Sequence, residues 1–187
     1  MKIIAGKHKN RVIPTSKKAD YRPSTTKFRE ALFSILSSGE LADDQPIMGA
    51  KVLDLFSGAG SLSFEALSRG AASVTLVDNN SEHLKSALVF AEIIGEKDNV
   101  TTLNMNATNL SGSTYKYDLV FMDPPYYNGY VAKAVKSLQM RGWLKDGTII
   151  AIEMSKRDEF QTPAGFRLVK EKIYGNNKLL ILKNEQS

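Results

Sequence analysis

The spacing of apolar residues along the chain changes near residue 50. From residue 51 onward, short apolar runs ending in turn residues alternate with segments whose apolar residues recur every three or four positions. The short runs predict buried strands, and the wider spacing predicts amphipathic helices. The predicted strands are residues 52–56, 73–77, 100–105, 119–122, 148–153, 166–173 and 179–182. The predicted helices are residues 61–69, 81–94 and 130–140. This alternation predicts an α/β fold with a largely parallel sheet covered on both faces, closed by an antiparallel hairpin around Gly175.

The first 50 residues have a different pattern. Ile3-Ile4 and Val12-Ile13 flank a polar turn, which predicts a small β-hairpin. An extended segment then leads to a helix that we expect to be capped by Ser24 or Thr25 and to end near Ser38. The polar residues 39–49 follow as a hinge. We therefore expect an amino-terminal arm, residues 1–48, and a second unit, residues 49–187.

The charge distribution singles out the arm. The chain of 187 residues has a formal charge of +5, but residues 1–30 hold nine basic and two acidic side chains, whereas the other 157 residues hold 16 and 18. A basic arm on a nearly neutral body is typical of proteins that bind a phosphate backbone. A solvated tail is the alternative, although the apolar residues of the arm favour a folded structure.

Composition excludes several classes of protein. The chain has no cysteine, so disulfides, thiolate metal sites and a cysteine nucleophile are excluded. No apolar run approaches the roughly 18 residues of a membrane helix. The apolar stretch near the amino terminus is also shorter than that of a signal peptide. We expect a cytoplasmic protein without a membrane partner. The length leaves no room for a cofactor domain plus a separate substrate domain, which disfavours a dehydrogenase.

A glycine-containing turn follows the first predicted strand of the body. It runs from Asp54 through Gly58 to Gly60 and leads directly into a helix. In a doubly wound sheet, ligands bind at the carboxyl ends of the strands, where glycines allow close approach of the backbone. Asp78 ends the next strand, 20 residues after Gly58, where a carboxylate accepts hydrogen bonds from the hydroxyls of an adenosine ribose. The pair predicts an adenosine-containing cofactor rather than a merely structural turn.

The third glycine of the dinucleotide fingerprint is missing. That fingerprint requires a glycine three residues after the second one, but this chain has Ser63 there. The turn therefore suits a cofactor without a pyrophosphate.

The second motif is Asp123-Pro124-Pro125-Tyr126, directly after the fourth predicted strand of the body. The two prolines stiffen the backbone and remove two N–H donors, which leaves the carboxylate of Asp123 and the carbonyl of Pro124 as hydrogen-bond acceptors. Such an edge can hold both hydrogens of an exocyclic amino group and turn its lone pair toward an incoming methyl group. Tyr126 offers a flat face for stacking a nucleobase. A stiff surface turn is the alternative.

These motifs resemble a known family. The segments YRPSTTKFREALFSIL (21–36), VLDLFSGAGSLSFEALSRGA (52–71) and DLVFMDPPY (118–126) are similar, in this order, to those of the bacterial 16S rRNA guanine-N2 methyltransferases, the RsmD family. The resemblance implies a Rossmann-like class I methyltransferase fold with a seven-stranded sheet. It also implies transfer of a methyl group from S-adenosylmethionine to N2 of a guanine, with S-adenosylhomocysteine as the second product. The family's reaction does not involve a metal ion. The implied partner is 16S rRNA in an assembled or partly assembled small ribosomal subunit. We expect the enzyme to be a monomer.

The resemblance assigns roles to particular residues. The residues expected to bind the cofactor are Asp54, Phe56, Ser57, Gly58, Gly60, Asp78, Asn79, Asn106 and Ala107. The residues expected to hold the guanine are Asp123, Pro124, Pro125 and Tyr126. The residues expected to contact RNA are Lys7, Lys9, Arg11, Arg22, Ser24, Thr25 and Arg29. Asn106 departs from the family, which commonly has aspartate there; we expect its amide oxygen to accept from the adenine amino group.

Other functions remain open at this stage. The Asp-Pro-Pro-Tyr edge also suits methylation of adenine N6 in DNA or RNA, although only about 20 residues follow before the fifth strand, too few for a target-recognition region. Methylation of a protein glutamine and a non-catalytic RNA-binding module are further alternatives. Neither His8 nor His83 has the context of a general base, and His83 is expected on the solvent side of its helix. Glu153 is expected to be structural.

Overall fold

The computed structural model describes residues 1–14, 26–39, 41, 46–125 and 129–185 of the chain. Its helices are α1 (Thr26–Ser37), α2 (Ser61–Ser68), α3 (Ser81–Ile93) and α4 (Tyr130–Met140), with a short 3-10 helix at Lys97–Asn99. Its strands are β1 (Lys51–Leu55), β2 (Ser73–Asp78), β3 (Val100–Asn104), β4 (Tyr117–Met122), β5 (Leu144–Ser155), β6 (Phe166–Tyr174) and β7 (Asn177–Asn184). Among the described residues no helix is long and apolar enough to cross a membrane.

The seven strands form a single sheet in the order β3-β2-β1-β4-β5-β7-β6. The first five strands are parallel, and β7 pairs antiparallel with both β5 and β6. The predicted α/β fold with a mostly parallel sheet and an antiparallel closing hairpin is confirmed. β1 is the middle one of the five parallel strands, with β2 and β3 on one side and β4 and β5 on the other. In such sheets the crevice at the point where the strand order reverses, at the carboxyl ends of the strands, binds the ligand.

Alternate residues of the central strands face two separate cores. On one face, Val52 and Val74 pack with apolar residues of α1, α2 and α3. On the other face, Leu53 and Val120 pack with residues of α4. The sheet is thus covered on both faces, as predicted. In the described part of the chain, three α-helices lie on one face and one lies on the other.

The predicted amino-terminal hairpin is reduced to a single antiparallel bridge between Lys2 and Val12. Ile3 and Ile13 are nonetheless buried in the same core as α1, α2 and α3. The described part of the predicted arm is therefore packed onto the sheet's own core rather than held apart from it.

Polar contacts from α2 hold this hairpin in place. The carboxylate of Glu65, which is fully buried, accepts hydrogen bonds from the backbone N–H groups of Ile4 (2.7 Å) and Ala5 (3.1 Å). The carbonyl of Ser68 accepts from the N–H of Lys7 at 2.8 Å. Gly6 has φ +83°, and a Cβ there would lie 1.7 Å from the carbonyl oxygen of Ser68. Only glycine fits this close approach between the two backbones.

Glu96, just before the 3-10 helix, provides a second anchor. Its Oε1 lies 2.5 Å from Nε2 of His8 and 2.6 Å from Nζ of Lys7. Burial raises the pKa of this carboxyl, but the hydrogen bonds from His8, Lys7 and Asn99 outweigh burial and hold the pKa at about 2. The carboxylate is therefore charged at neutral pH and binds the tip of the hairpin.

The hairpin tip lies at the amino-terminal edge of the parallel strands. The N–H of Gly49, just before β1, bonds to the carbonyl of Gly70, just after α2, at 2.8 Å. The carboxyl end of α2 is therefore beside the start of β1, while the amino end of α2 follows the turn at Gly60. The tip of the hairpin, which contacts Ser68, is thus at the opposite end of α2 from that turn.

Candidate functional site

The turn after β1 combines left-handed backbone conformations with close packing. Phe56 has φ +61°, a rare conformation for a residue with a large side chain, and Gly58 and Gly60 have φ +52° and +81°. A Cβ at Gly60 would lie 2.7 Å from Cδ2 of Leu76. The strained turn brings the backbone of residues 56–60 to the carboxyl edge of the sheet, where strain is often retained for function.

Asp78 connects this turn to the end of β2. Its Oδ2 accepts a hydrogen bond from the N–H of Gly58 at 2.8 Å, and its Oδ1 accepts from the N–H of Asn80 at 2.8 Å. Nδ1 of His83 lies 3.8 Å from the same Oδ1, and the side chain of His83 is only 16% exposed. The prediction that His83 lies on the solvent side of α3 is wrong, because the first turn of the helix carries it back over Asp78.

A small cavity of about 30 Å³ lies beside Asp78. Phe56, Val77 and Asn79 line it from the ends of β1 and β2, and Met105, Asn106 and Ala107 line it from the end of β3. This arrangement brings together five of the residues predicted to bind the cofactor, which come from three different strand ends: Phe56, Asp78, Asn79, Asn106 and Ala107.

The side chain of Asn106 is oriented by its own loop. Its Oδ1 accepts hydrogen bonds from the N–H and the Oγ1 of Thr108, at 2.9 and 2.8 Å. Both lone pairs of the oxygen are therefore engaged. The group that Asn106 has left for a ligand is its NH₂ donor, not the acceptor oxygen that the sequence suggested.

Asp54 lies beneath the turn rather than at its surface. The side chain is 2% exposed, and Oδ2 accepts hydrogen bonds from Oγ (2.6 Å) and N–H (3.2 Å) of Ser63 in the first turn of α2. Burial raises the pKa of Asp54 to about 7; the Ser63 hydrogen bonds oppose this rise, and the charges of Asp123 and Asp78 add to it. Asp54 thus stabilises the start of α2 and the turn before it.

Ser57, in the same turn, has a buried hydroxyl group. The residue is 3% exposed, and within the described structure its Oγ has no hydrogen-bond partner. Buried hydroxyls nearly always have a partner, and those that do not are often at functional sites. The orphaned oxygen, the closely packed Gly60 and the neighbouring cavity fit a polar ligand with an adenosine group lying along this edge.

Asp123, Pro124 and Pro125 follow β4 at the same edge. The register pairs Leu55 of β1 with both Val77 and Met122, so Asp78 and Asp123 each come one residue after a position aligned with the end of β1. Asp123 is 9% exposed. Tyr126, the last residue of the motif, lies outside the described residues.

A larger cleft of about 350 Å³ adjoins the two prolines. Its walls are Pro124 and Pro125, the start of α4 and the loop that follows β5. Residues of the loop between β5 and β6 were not predicted to belong to the site. Their only signal in the sequence is a run of charged residues after a buried strand.

The residues predicted to contact RNA have diverse surroundings. Lys9 and Arg11 are exposed on the hairpin, and Lys7 is paired with Glu96. Arg29 is 1% exposed, and its guanidinium donates to the carbonyl oxygen of Lys2 at 3.0 Å. This burial gives Arg29 a role in joining α1 to the hairpin and leaves its predicted RNA contact without structural support. Arg22, Ser24 and Thr25 lie outside the described residues.

Two buried carboxylates act within the structure. Glu65, which sequence reasoning did not single out, anchors the hairpin and also pairs with Nε of Arg69 at 2.7 Å. Its only signal was an acidic residue within an apolar helix. Glu153 accepts from Nδ2 of Asn177 at 2.6 Å between β5 and β7, consistent with the expected structural role. Within the described ranges, no cluster of His, Asp or Glu side chains could hold a metal ion.

Comparison with known protein families gives a match over almost the whole chain. The model of a family described as "Conserved hypothetical protein 95" matches residues 1–183. A relative in Rickettsia prowazekii, described as an uncharacterized methylase, is 39% identical and covers 98% of this chain and 97% of its own. A relative in Escherichia coli, named ribosomal RNA small subunit methyltransferase D, is 32% identical over 94% of this chain and 85% of its own.

Solved structures have the same fold. A candidate methyltransferase of Escherichia coli superposes with a TM-score of 0.86 at 28% identity and covers 100% of this chain and 99% of its own. A candidate methylase of Haemophilus influenzae gives a TM-score of 0.81 at 27% identity, with 99% and 98% covered. The similarity therefore includes the amino-terminal hairpin and α1 as well as the sheet.

Proposed function

The chain belongs to the RsmD family, described as "Conserved hypothetical protein 95", and from this membership we propose that it methylates small-subunit rRNA with S-adenosylmethionine. More specifically, we propose that the acceptor is the exocyclic N2 of a guanine in 16S rRNA, in an assembled or partly assembled small subunit. In this proposal residues 49–187 catalyse the reaction, and residues 1–48 contact RNA.

The observation that carries the proposal is that Asp78 and Asp123 occupy equivalent positions at the ends of the two strands that flank β1. Both follow strands that pair with β1, one on each side, and both come just beyond positions aligned with Leu55. Neighbouring strands are about 4.8 Å apart, so one small site can include both strand ends and the turn between them. A cofactor held at β2 and an acceptor held at β4 would then meet over the end of β1.

The described residues fit S-adenosylmethionine. Asp78 would accept from the ribose hydroxyls, because each of its oxygens holds one backbone N–H and has a second lone pair. The NH₂ group of Asn106 would donate to a ring nitrogen of the adenine. Ser57 would use its unpartnered hydroxyl toward the methionyl part, together with the exposed edge of the Gly58–Gly60 turn. Asp54 would support this turn through Ser63 rather than contact the cofactor.

When bound, the cofactor supplies an electrophilic methyl group: its S–CH₃ bond breaks as the N–CH₃ bond forms, and S-adenosylhomocysteine is left. Asp123 and the carbonyl of Pro124 would accept the two hydrogens of the guanine amino group. This arrangement opposes delocalisation of the nitrogen lone pair into the ring and directs it toward the methyl group. Tyr126 would stack on the base.

The methylated nitrogen becomes positively charged and must lose one proton. We propose that the carboxylate of Asp123 accepts this proton, because in the proposed complex it already accepts a hydrogen bond from one of the two amino hydrogens. The proton then passes to solvent, to which Asp123 retains 9% exposure. A strong base before attack is not needed, since a favourable leaving group and correct positioning supply most of the driving force.

Transfer of labelled methyl groups to isolated substrates tests the proposal. Small ribosomal subunits from cells that lack this protein are incubated with the protein and labelled S-adenosylmethionine, and the modified nucleoside is then identified and mapped. We expect one N2-methylguanosine in 16S rRNA. Subunits from cells that contain the protein are the matched control and should take up no label. Label on DNA or protein alone, or on adenosine, would contradict the proposed acceptor.

A further inference from the structure

The cleft beside Pro124 and Pro125 contains charged groups that the proposed methyl transfer does not use. Arg157, Asp158 and Glu159 line it together with the two prolines. They belong to the segment 156–160, which directly follows β5 and which we call the β5 loop. The cleft therefore connects the two prolines, which directly follow Asp123 in the chain, to one cation and two carboxylates.

The backbone of the β5 loop is fixed by hydrogen bonds. The N–H of Arg157 donates to Oγ of Ser155 at 3.2 Å, and the N–H of Asp158 donates to the carbonyl of Ser155 at 3.1 Å. The N–H of Lys156 donates to the carbonyl of Asn176 at 2.9 Å, which ties the loop to the turn between β6 and β7. Phe160, partly buried, packs against the core beneath α4. These contacts fix the backbone that carries the charged side chains along the cleft.

A carboxylate beside a guanidinium complements the edge of guanine but not that of adenine. Guanine presents a donor at N1–H and an acceptor at O6 beside its amino group, whereas adenine presents a bare acceptor at N1 and an amino donor at C6. A carboxylate accepts from N1–H of guanine but repels the lone pair of N1 in adenine. A guanidinium donates to O6 of guanine but has no acceptor to meet on the amino group of adenine.

We propose that Asp158 and Arg157 recognise the guanine whose amino group Asp123 holds, with Asp158 accepting from N1–H and Arg157 donating to O6. This inference rests on the proposed function and identifies the residues that determine its specificity for guanine. Asp158 is assigned in preference to Glu159 because it is half-buried and its backbone is bonded within the turn, while Glu159 is exposed.

The test compares two bases that carry the same 2-amino group. Once the wild-type protein has marked the modified nucleotide, small subunits reconstituted with 16S rRNA that has guanine at that position are compared with subunits reconstituted with rRNA that carries 2-aminopurine there. This base lacks O6 and has an unprotonated N1. We expect the wild type to methylate guanine faster by at least about tenfold. In Asp158→Asn the amide can accept from N1–H or donate to a bare N1, so the ratio of the two rates should fall about tenfold.

Controls separate recognition from general damage. Lys156→Gln changes a charge in the same loop outside the cleft lining and should keep the wild-type ratio. S-adenosylmethionine affinity, measured by calorimetry, should be the same in all three proteins. If the wild type methylates guanine but Asp158→Asn keeps the wild-type ratio, the recognition role is overturned and the proposed function stands. If the wild type methylates no guanine, the proposed function fails, and this inference fails with it.

Discussion

The backbone N–H of Gly58 donates a hydrogen bond to Oδ2 of Asp78 at 2.8 Å, and this bond joins the turn after β1 to the end of β2. The other oxygen of Asp78 accepts from the N–H of Asn80. The carboxylate therefore shapes two loops and still has lone pairs for a ribose. The glycine turn and Asp78, which the sequence predicts to bind one cofactor together, are thus also bonded directly to each other in the structure.

Replacing Asp78 tests this unit. In Asp78→Asn, one acceptor oxygen becomes an NH₂ group that cannot accept from a backbone N–H. We expect the Kd for S-adenosylmethionine, measured by calorimetry, to rise roughly 10- to 100-fold, the usual effect of losing a hydrogen bond to a charged group. Glu82→Gln, an exposed position four residues along the chain, is the matched control. An unchanged Kd in Asp78→Asn would exclude a role for this carboxylate in cofactor binding.

The contact between Gly6 and Ser68 makes a prediction about stability. A methyl group at residue 6 would meet the Ser68 carbonyl oxygen, and the φ of +83° is itself unfavourable for alanine. We expect Gly6→Ala to lower the free energy of unfolding by about 2 kcal/mol or more. At Gly112 a Cβ would meet nothing within 4 Å, so Gly112→Ala should change the free energy by at most about 0.5 kcal/mol. Chemical denaturation measures both, and equal effects would contradict the docked hairpin.

The raised pKa of Asp54 predicts a pH dependence of stability. Burial raises the pKa of Asp54 from its ordinary value of 3.8 to about 7, so the folded state favours the protonated form. The stabilising contribution is fully present below the unfolded-state pKa and is lost as pH rises through 7. Between pH 5 and 8, roughly, the wild type should lose about 2–4 kcal/mol more than Asp54→Asn, whose amide does not ionise. If the difference in free energy of unfolding between the wild type and Asp54→Asn stays constant across this pH range, the carboxyl is ionised throughout and its pKa is not raised.

The basic residues of the arm divide into exposed and buried groups with different expected effects. Replacing exposed Lys9 and Arg11 by glutamine should weaken rRNA binding and reduce the slope of log K against log salt by up to about 2, with unfolding unchanged. Arg29→Gln should instead lower the free energy of unfolding, because Arg29 is buried against Lys2. Filter binding over a salt series, together with denaturation, separates the two. An unaltered salt slope in the double variant would remove the hairpin from the RNA-binding surface.

Local periodicity predicted the secondary structure well. The predicted helix 130–140 coincides with α4, and the predicted helix at 81–94 with α3 to within one residue. β5 is longer than predicted and begins at Leu144, because Asp146 and Gly147 interrupt the apolar pattern. The strand continues through this interruption with an irregular pairing to β4 and a φ of +79° at Gly147. The alternation of strands and helices also predicted the parallel sheet and its antiparallel closing hairpin, but not the order of the strands.

Contacts between distant residues could not be predicted in this way. The bonds of Glu65 to Ile4 and Ala5 join positions about 60 residues apart and leave no periodic signal. The placement of the β5 loop beside Pro124 depends in the same way on strand order. The engagement of Asn106 by Thr108 is different: it is a local turn of a kind that the sequence Asn-Ala-Thr could have indicated.

The central claim is that Asp123 holds the amino group that receives the methyl group, while the cofactor is held elsewhere. The most direct measurement compares Asp123→Ala with the wild type for single-turnover methyl transfer to small subunits and for S-adenosylmethionine affinity. We predict a rate at least about 100-fold lower with the cofactor Kd unchanged, since removal of one preorganised transition-state contact costs this much. Methyl transfer by Asp123→Ala at the wild-type rate would contradict the account.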